Sequence, residues 1–199
     1  NVTNSYNTAI GPAALGASTA DSNTAVGYSA LAANTTAVYG TAVGVNALAS
    51  NTTGASNVGV GHKALYANTT GHSNVAVGRD ALVSNTTANY NAAVGTYALE
   101  TNVDGSRNAA FGYGALRTFD PSSATDTYNT GLGYAAGSAM TTGTLNTAVG
   151  GNSMAVVTTG SSNTAVGALA LDATTTASNN TAVGSYALSA NTTGEDNNA

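Results

Sequence analysis

The sequence predicts an all-β fold, a parallel β-solenoid or β-roll of about eleven 17-residue coils. Three observations lead there: a strict internal repeat, a composition of small neutral residues, and the lack of any stretch of helix formers long enough for a helix. A recurring unit that cannot bury its own apolar side must stack on its copies to make a core.

The repeat comes first. Taking the glycine of the recurring Asn-Thr-Ala-Val-Gly phrase as position 0, copies fall at Gly11, Gly27, Gly44, Gly61, Gly78, Gly95, Gly112, Gly133, Gly150, Gly167 and Gly184. The steps are 16, then 17 five times, then 21, then 17 three times. Position −1 is an aliphatic residue or Phe111, position −2 is always Ala or Gly, and position +4 is Leu or Met except at Gly137. Position +3 is Ala in every copy but one, Ser153. The whole chain, 1–199, is one repeat domain, with a four-residue insertion within 117–128. It begins at Asn1 rather than Met and ends inside a repeat, as a segment of something longer would.

Composition comes second. Charged residues make up 7% of the chain, against about 25% in an ordinary globular domain. Four Lys and Arg cannot supply the dense positive surface that nucleic acid needs. There is no cysteine, hence no disulfide staple, and no apolar run of the length that spans a bilayer. A catalytic centre needs a few distinct, poised groups. Here each repeat offers the same small neutral ones, so an enzyme is not expected, and no cofactor site is readable.

Local structure comes third. Gly, Asn and Thr are poor helix formers. The unit reads as two short strands, Thr-Ala-Val before the glycine and x-Ala-Leu after it, joined by corners of Asn, Thr and Gly that tolerate left-handed backbone. Stacking at about 4.8 Å per coil would place Val on Val and Leu on Leu and give a rod of roughly 50 Å. Because the Ala and Val columns face opposite ways along a strand, and the Ala column never exceeds a methyl group, close packing of three chains through that column is one expectation. A coil too thin for larger side chains is the other.

Asparagine recurs at −4 in ten copies: Asn7, Asn23, Asn57, Asn74, Asn91, Asn108, Asn129, Asn146, Asn163 and Asn180, with Gly40 as the exception. A column this strict suggests a structural ladder, each amide bonding to the next coil, since a buried Asn needs partners. Exposed corners are the alternative. N-glycosylation acceptor patterns occur at Asn1, Asn34, Asn51, Asn68, Asn85, Asn179 and Asn191. Four of them, Asn34, Asn51, Asn68 and Asn85, stand 17 apart at position +7 and would form a stripe along one side, to which Asn191 returns, sugar-bearing or simply good corner chemistry.

The units at 23–36, 74–87 and 181–194 resemble repeats of phage and viral tail-fibre proteins. More distantly they are similar to the head repeats of trimeric autotransporter adhesins, left-handed β-rolls built by three chains from a shorter repeat. The resemblance implies a structural shaft or body of an extracellular or virion-surface fibre, self-associating as a homotrimer or an end-to-end filament. An adhesin head binding a host surface or glycan along its side is the alternative, and an ice-binding solenoid a lesser one.

The departures from the pattern are few. The insertion, with Asp120 and Asp126, is expected as a surface loop rather than a calcium site, which needs six to eight oxygens. His62 and His72 fall in different columns and are expected as solvated corner residues, not metal ligands. Asp80 with Arg79 and Asp104 with Arg107 are expected as weak surface pairs. Tyr28, Tyr113 and Tyr134 share position +1, and Tyr97 and Tyr186 share +2. They either fill packing space at an interface or stack on sugars.

Overall fold

The computed structural model describes residues 6–121 and 123–199. Each coil contributes one three-residue strand just before its glycine. In chain order these are β1 (Thr8–Ile10), β2 (Thr24–Val26), β3 (Thr41–Val43), β4 (Val58–Val60), β5 (Val75–Val77), β6 (Ala92–Val94), β8 (Ala109–Phe111), β10 (Thr130–Leu132), β11 (Thr147–Val149), β12 (Thr164–Val166) and β13 (Thr181–Val183). They form one eleven-stranded sheet in sequence order, every pair parallel and in register, so that Ala25 meets Ala42 and Val26 meets Val43. The fold is a parallel β-solenoid. Two further strands, β7 (Gly105–Ser106) and β9 (Thr125–Asp126), pair parallel beside the insertion.

The second expected strand does not form. The segment after each glycine is a run of turns. Its residues at +2 and +4 hold left-handed backbone, as at Lys63 (φ 54°) and Leu65 (φ 54°), and a third such residue sits at −5, as at Ser56 (φ 58°). The physical reason is burial. Ala64 and Leu65 are adjacent in sequence, yet both point into the core. A strand turns successive side chains to opposite faces and cannot do this. Left-handed residues between extended ones rotate the chain so that it can.

Hydrogen bonding between coils continues through these turns. Leu48 N–H donates up to the Ala64 carbonyl (3.0 Å), Asn46 N–H donates down to the Tyr28 carbonyl (2.9 Å), and Thr52 N–H donates up to Thr69 (2.9 Å). The hydroxyl of Thr52 also donates to the Thr69 carbonyl (3.0 Å), and Thr35, Thr69, Thr141 and Thr158 repeat the bond. Most of the perimeter is therefore stitched, not the strand alone.

The interior is thin. It holds the Ala columns at −2 and +3 and the Leu column at +4, all fully buried through the middle coils. The −1 column lies outside: Val43, Phe111, Leu132 and Val183 are exposed. The expectation that three chains pack through the Ala column is corrected here, because that column is buried inside the chain's own coil. Alanine is small because it lines the inside of a narrow coil.

The glycine at position 0 is required by close approach as well as by conformation. At Gly78 (φ +132°) an added Cβ would stand 2.7 Å from the carbonyl carbon and oxygen of Gly95 in the next coil. No L side chain adopts that φ without strain. The insertion leaves and rejoins this frame at one corner. Phe119 is fully buried, whereas Ser123, Ala124, Thr125 and Asp126 are exposed.

Candidate functional site

Two asparagine columns dominate the polar interior. At −4 the carboxamide clamps one coil to the next through the backbone. Asn57 Oδ1 accepts from the Asn74 N–H (2.9 Å), and Asn57 Nδ2 donates to the Gly71 carbonyl (2.7 Å). Asn74, Asn91, Asn129, Asn146 and Asn163 repeat both bonds, to the next Asn N–H and to the carbonyl at +10. Asn7, half-buried in the first coil, bonds the Asn23 N–H (2.8 Å) in the same way. Asn108 passes its Oδ1 to the Asn129 N–H, and Asn180 to the Asn197 N–H. Where Gly40 replaces Asn, its N–H still takes Asn23 Oδ1 (2.7 Å). Direct amide-to-amide bonds appear only in some coils, as from Asn163 Nδ2 to Asn146 Oδ1 (3.2 Å).

The amide-to-amide ladder proper lies at +7, among residues read from sequence as corners or sugar acceptors. Asn68 Nδ2 donates to Asn51 Oδ1 (2.7 Å) and to the Gly71 carbonyl (2.8 Å). Asn85 Nδ2 does the same toward Asn68 Oδ1 (2.7 Å) and Ala88 (3.2 Å), and Asn102 reaches Asn85 Oδ1 (3.3 Å). At the bottom, Asn34 Nδ2 reaches Ser18 Oγ (3.3 Å) and the Ala37 carbonyl (3.1 Å). Asn34, Asn51, Asn68 and Asn85 are buried, so the stripe expected on the outside faces in. Of the remaining acceptor patterns, Asn179 is exposed in a left-handed corner (φ 61°). Asn191 is half-buried with Nδ2 on the Gly194 carbonyl (2.9 Å). Asn1 lies outside the described residues.

Above Asn102 the +7 column turns apolar: Phe119, Met140 and Val157 are all fully buried. Phenylalanine offers no donor, and Asn102 Oδ1 is left buried without a partner. An orphaned buried acceptor costs about 1–3 kcal/mol, so the junction is a local defect. The signal that could have revealed a buried column was in the sequence. Phe, Met and Val replace Asn there, which an exposed corner would not favour.

Outside, aromatic and cationic side chains gather in the middle coils. The four Lys and Arg are Lys63, Arg79, Arg107 and Arg117. The Arg79 guanidinium lies 4.8 Å and that of Arg117 4.9 Å from the Tyr97 ring centre. Tyr97 meets Tyr113 edge-on at 5.7 Å, and Tyr113 stacks on Tyr134 at 5.4 Å. On another column Arg107 sits over Tyr90 (4.8 Å), with His72 edge-on to that ring. Tyr28 and Tyr186, in distant coils, are exposed and outside this group.

The three arginines are each paired with a carboxylate. Arg79 pairs with Asp80 (3.0 Å) and Arg117 with Glu100. Arg107 pairs with Asp126 of the insertion (2.9 Å) and not with Asp104, which accepts from Thr87 Oγ1 (3.0 Å). Hydrogen bonding to Asp126 and then its charge raise the Arg107 guanidinium above its ordinary value, and Glu100 does the same for Arg117. Asp120 Oδ1 accepts from the Val103 N–H (3.0 Å), and His62 lies 3.8 Å from Asp80. Among the described residues no three His, Cys, Asp or Glu side chains come together to hold a metal ion.

No protein-family model, curated protein or solved structure matches this chain.

Proposed function

We propose that the chain is a length of shaft from an extracellular or virion-surface fibre, a mechanical part with no catalytic role. One observation carries this reading. Eleven coils stack in unbroken register, and the same backbone, Thr and Asn bonds recur from coil to coil. A rod of constant section, stitched around its perimeter, resists bending and local opening, because each opened coil exposes several bonds at once.

The outward −1 column supports the self-association that a fibre needs. It runs the length of the rod as Val, Ile10, Phe111 and Leu132, uncharged and partly exposed. Copies packed side by side through this stripe, as in a homotrimer, would bury it. Immunogold labelling of intact particles or cells tests the location. Label along a projecting fibre is expected, and label confined to the cell interior would sink the reading.

A second reading, an adhesin surface binding a host glycan along its side, is favoured by the Tyr97, Tyr113 and Tyr134 row. Tyr113 and Tyr134 are exposed and Tyr97 is half-buried beside them, and a tyrosine ring presents an apolar face and a polar tip together. A glycan array probed with parent and Tyr134→Ala protein separates the two. Binding lost in the variant favours the adhesin, and no binding by either leaves the shaft.

A further inference from the structure

We infer that N-glycosylation at Asn34, Asn51, Asn68 and Asn85 and folding of this rod are mutually exclusive, so that the chain reaches its native state only where those acceptors stay bare. The inference rests on the solenoid itself and holds whatever the rod is used for.

Each of the four residues begins an Asn-Thr-Thr acceptor pattern. In an unfolded chain nothing distinguishes them from ordinary acceptors. In the folded chain their side chains are buried and every Nδ2 donates, once at Asn51 and twice at the other three. Asn68 uses both, toward Asn51 Oδ1 (2.7 Å) and Gly71 (2.8 Å), and Asn85 uses both toward Asn68 and Ala88.

Glycan transfer from a lipid-pyrophosphate donor forms a bond between sugar C1 and Nδ2. It breaks the bond from C1 to phosphate oxygen, and the lipid pyrophosphate leaves as one Nδ2 proton is lost. The product nitrogen keeps a single hydrogen. It can serve the ladder or the turn carbonyl, not both. The larger obstacle is volume. In the two coils with glycine at +10 the turn already stands so close that a Cβ on Gly54 would lie 3.0 Å from Asn68 Nδ2, and one on Gly71 2.9 Å from Asn85 Nδ2. A sugar has no room there, and a modified amide must leave the core and take its coil with it. Asn179, exposed in its corner, is free of this restriction.

The sequence also supplies a clean way to remove the acceptors. The third residue of each pattern, Thr36, Thr53, Thr70 or Thr87, is exposed. Replacing these four with Ala abolishes recognition and leaves the ladder asparagines in place.

The test expresses the full chain in a bacterial cytosol and through a eukaryotic secretory pathway. Parent and quadruple variant both carry Thr193→Ala so that Asn191 stays bare. The bacterial protein is expected to be protease-resistant. The secreted parent is expected to carry sugar on the four asparagines only in a protease-sensitive fraction, with any resistant fraction bare at them. The Thr36→Ala, Thr53→Ala, Thr70→Ala, Thr87→Ala variant is expected to recover resistant rods on secretion. Protease-resistant protein bearing sugar on any of the four would overturn the inference. So would a variant that is resistant from the cytosol yet sensitive when secreted. The parent's own occupancy map decides the matter should the variant fail to fold in either host.

Discussion

The two halves of the +7 column solve one problem in opposite ways. From Asn51 to Asn102 the column is an amide ladder, each carboxamide above Asn51 held by the one below and by a turn carbonyl. From Phe119 to Val157 it is an apolar stack in the same frame. Strand pairing and the glycine column run through both halves unchanged. The coil therefore asks for consistency between neighbours rather than for asparagine. Cost arises where the two chemistries meet, at the unpartnered Asn102 Oδ1.

The sharpest way to break the comparison is through a feature both halves share. Gly78→Ala and Gly150→Ala place a Cβ within 2.7 Å of the next glycine's carbonyl in the two halves alike. Each is expected to cost about 4 kcal/mol by strain and overpacking, seen as similar drops in urea midpoint. A marked difference would show that the halves differ in backbone and not only in filling.

Phe119→Asn is next. It extends the ladder by one rung and supplies a donor to Asn102, but it empties a fully buried aromatic site. Large-to-small changes of that kind cost about 3–5 kcal/mol, of which one new hydrogen bond returns about 1. A net loss is expected in thermal unfolding followed by circular dichroism, and a gain would mean that the orphaned acceptor governs this coil.

Two leucine substitutions then sharpen it. Asn68→Leu breaks the ladder in its middle and strands Asn51 Oδ1 below and one Nδ2 hydrogen of Asn85 above. A loss of about 2–3 kcal/mol is expected. Asn102→Leu only moves the existing boundary down by one coil, trading one orphaned acceptor for another, and is expected to cost less than about 1 kcal/mol. Hydrogen exchange at the backbone N–H groups of positions 85 and 102 reads both. Equal losses would refute the view that boundaries, not asparagines, carry the cost.

Much of the fold could be read before any coordinates. The period, the parallel stacking and the role of glycine follow from columns alone. The misreadings share one cause: a repeat says which positions are restricted, not which side of the chain is inside. Alanine at −2 read as a possible contact between chains because the column is so uniformly small, yet it is the inner face of a coil so narrow that it admits only alanine or glycine there. The Ala-Leu pair at +3 and +4 read as strand, although two adjacent restricted positions already contradict alternation. The +7 asparagines read as corners because Asn-Thr-Thr has good corner chemistry. Only Phe119, Met140 and Val157 in the same column hinted at burial. The exterior cluster was less legible, because Arg107 meets Asp126 across an insertion whose path no period describes.

The left-handed residues at −5, +2 and +4 carry a consequence of their own. That conformation costs an L residue roughly 1 kcal/mol or more, and leucine at +4 has no local bond to offset it. The coil-to-coil bonds that do offset it exist only once a neighbour is in place. A solitary coil is thus uphill, and each later one settles on a finished template. Length then becomes a matter of counting. Whole coils can be added or removed without touching width or surface pattern, which makes the molecule a ruler graduated in seventeen-residue marks.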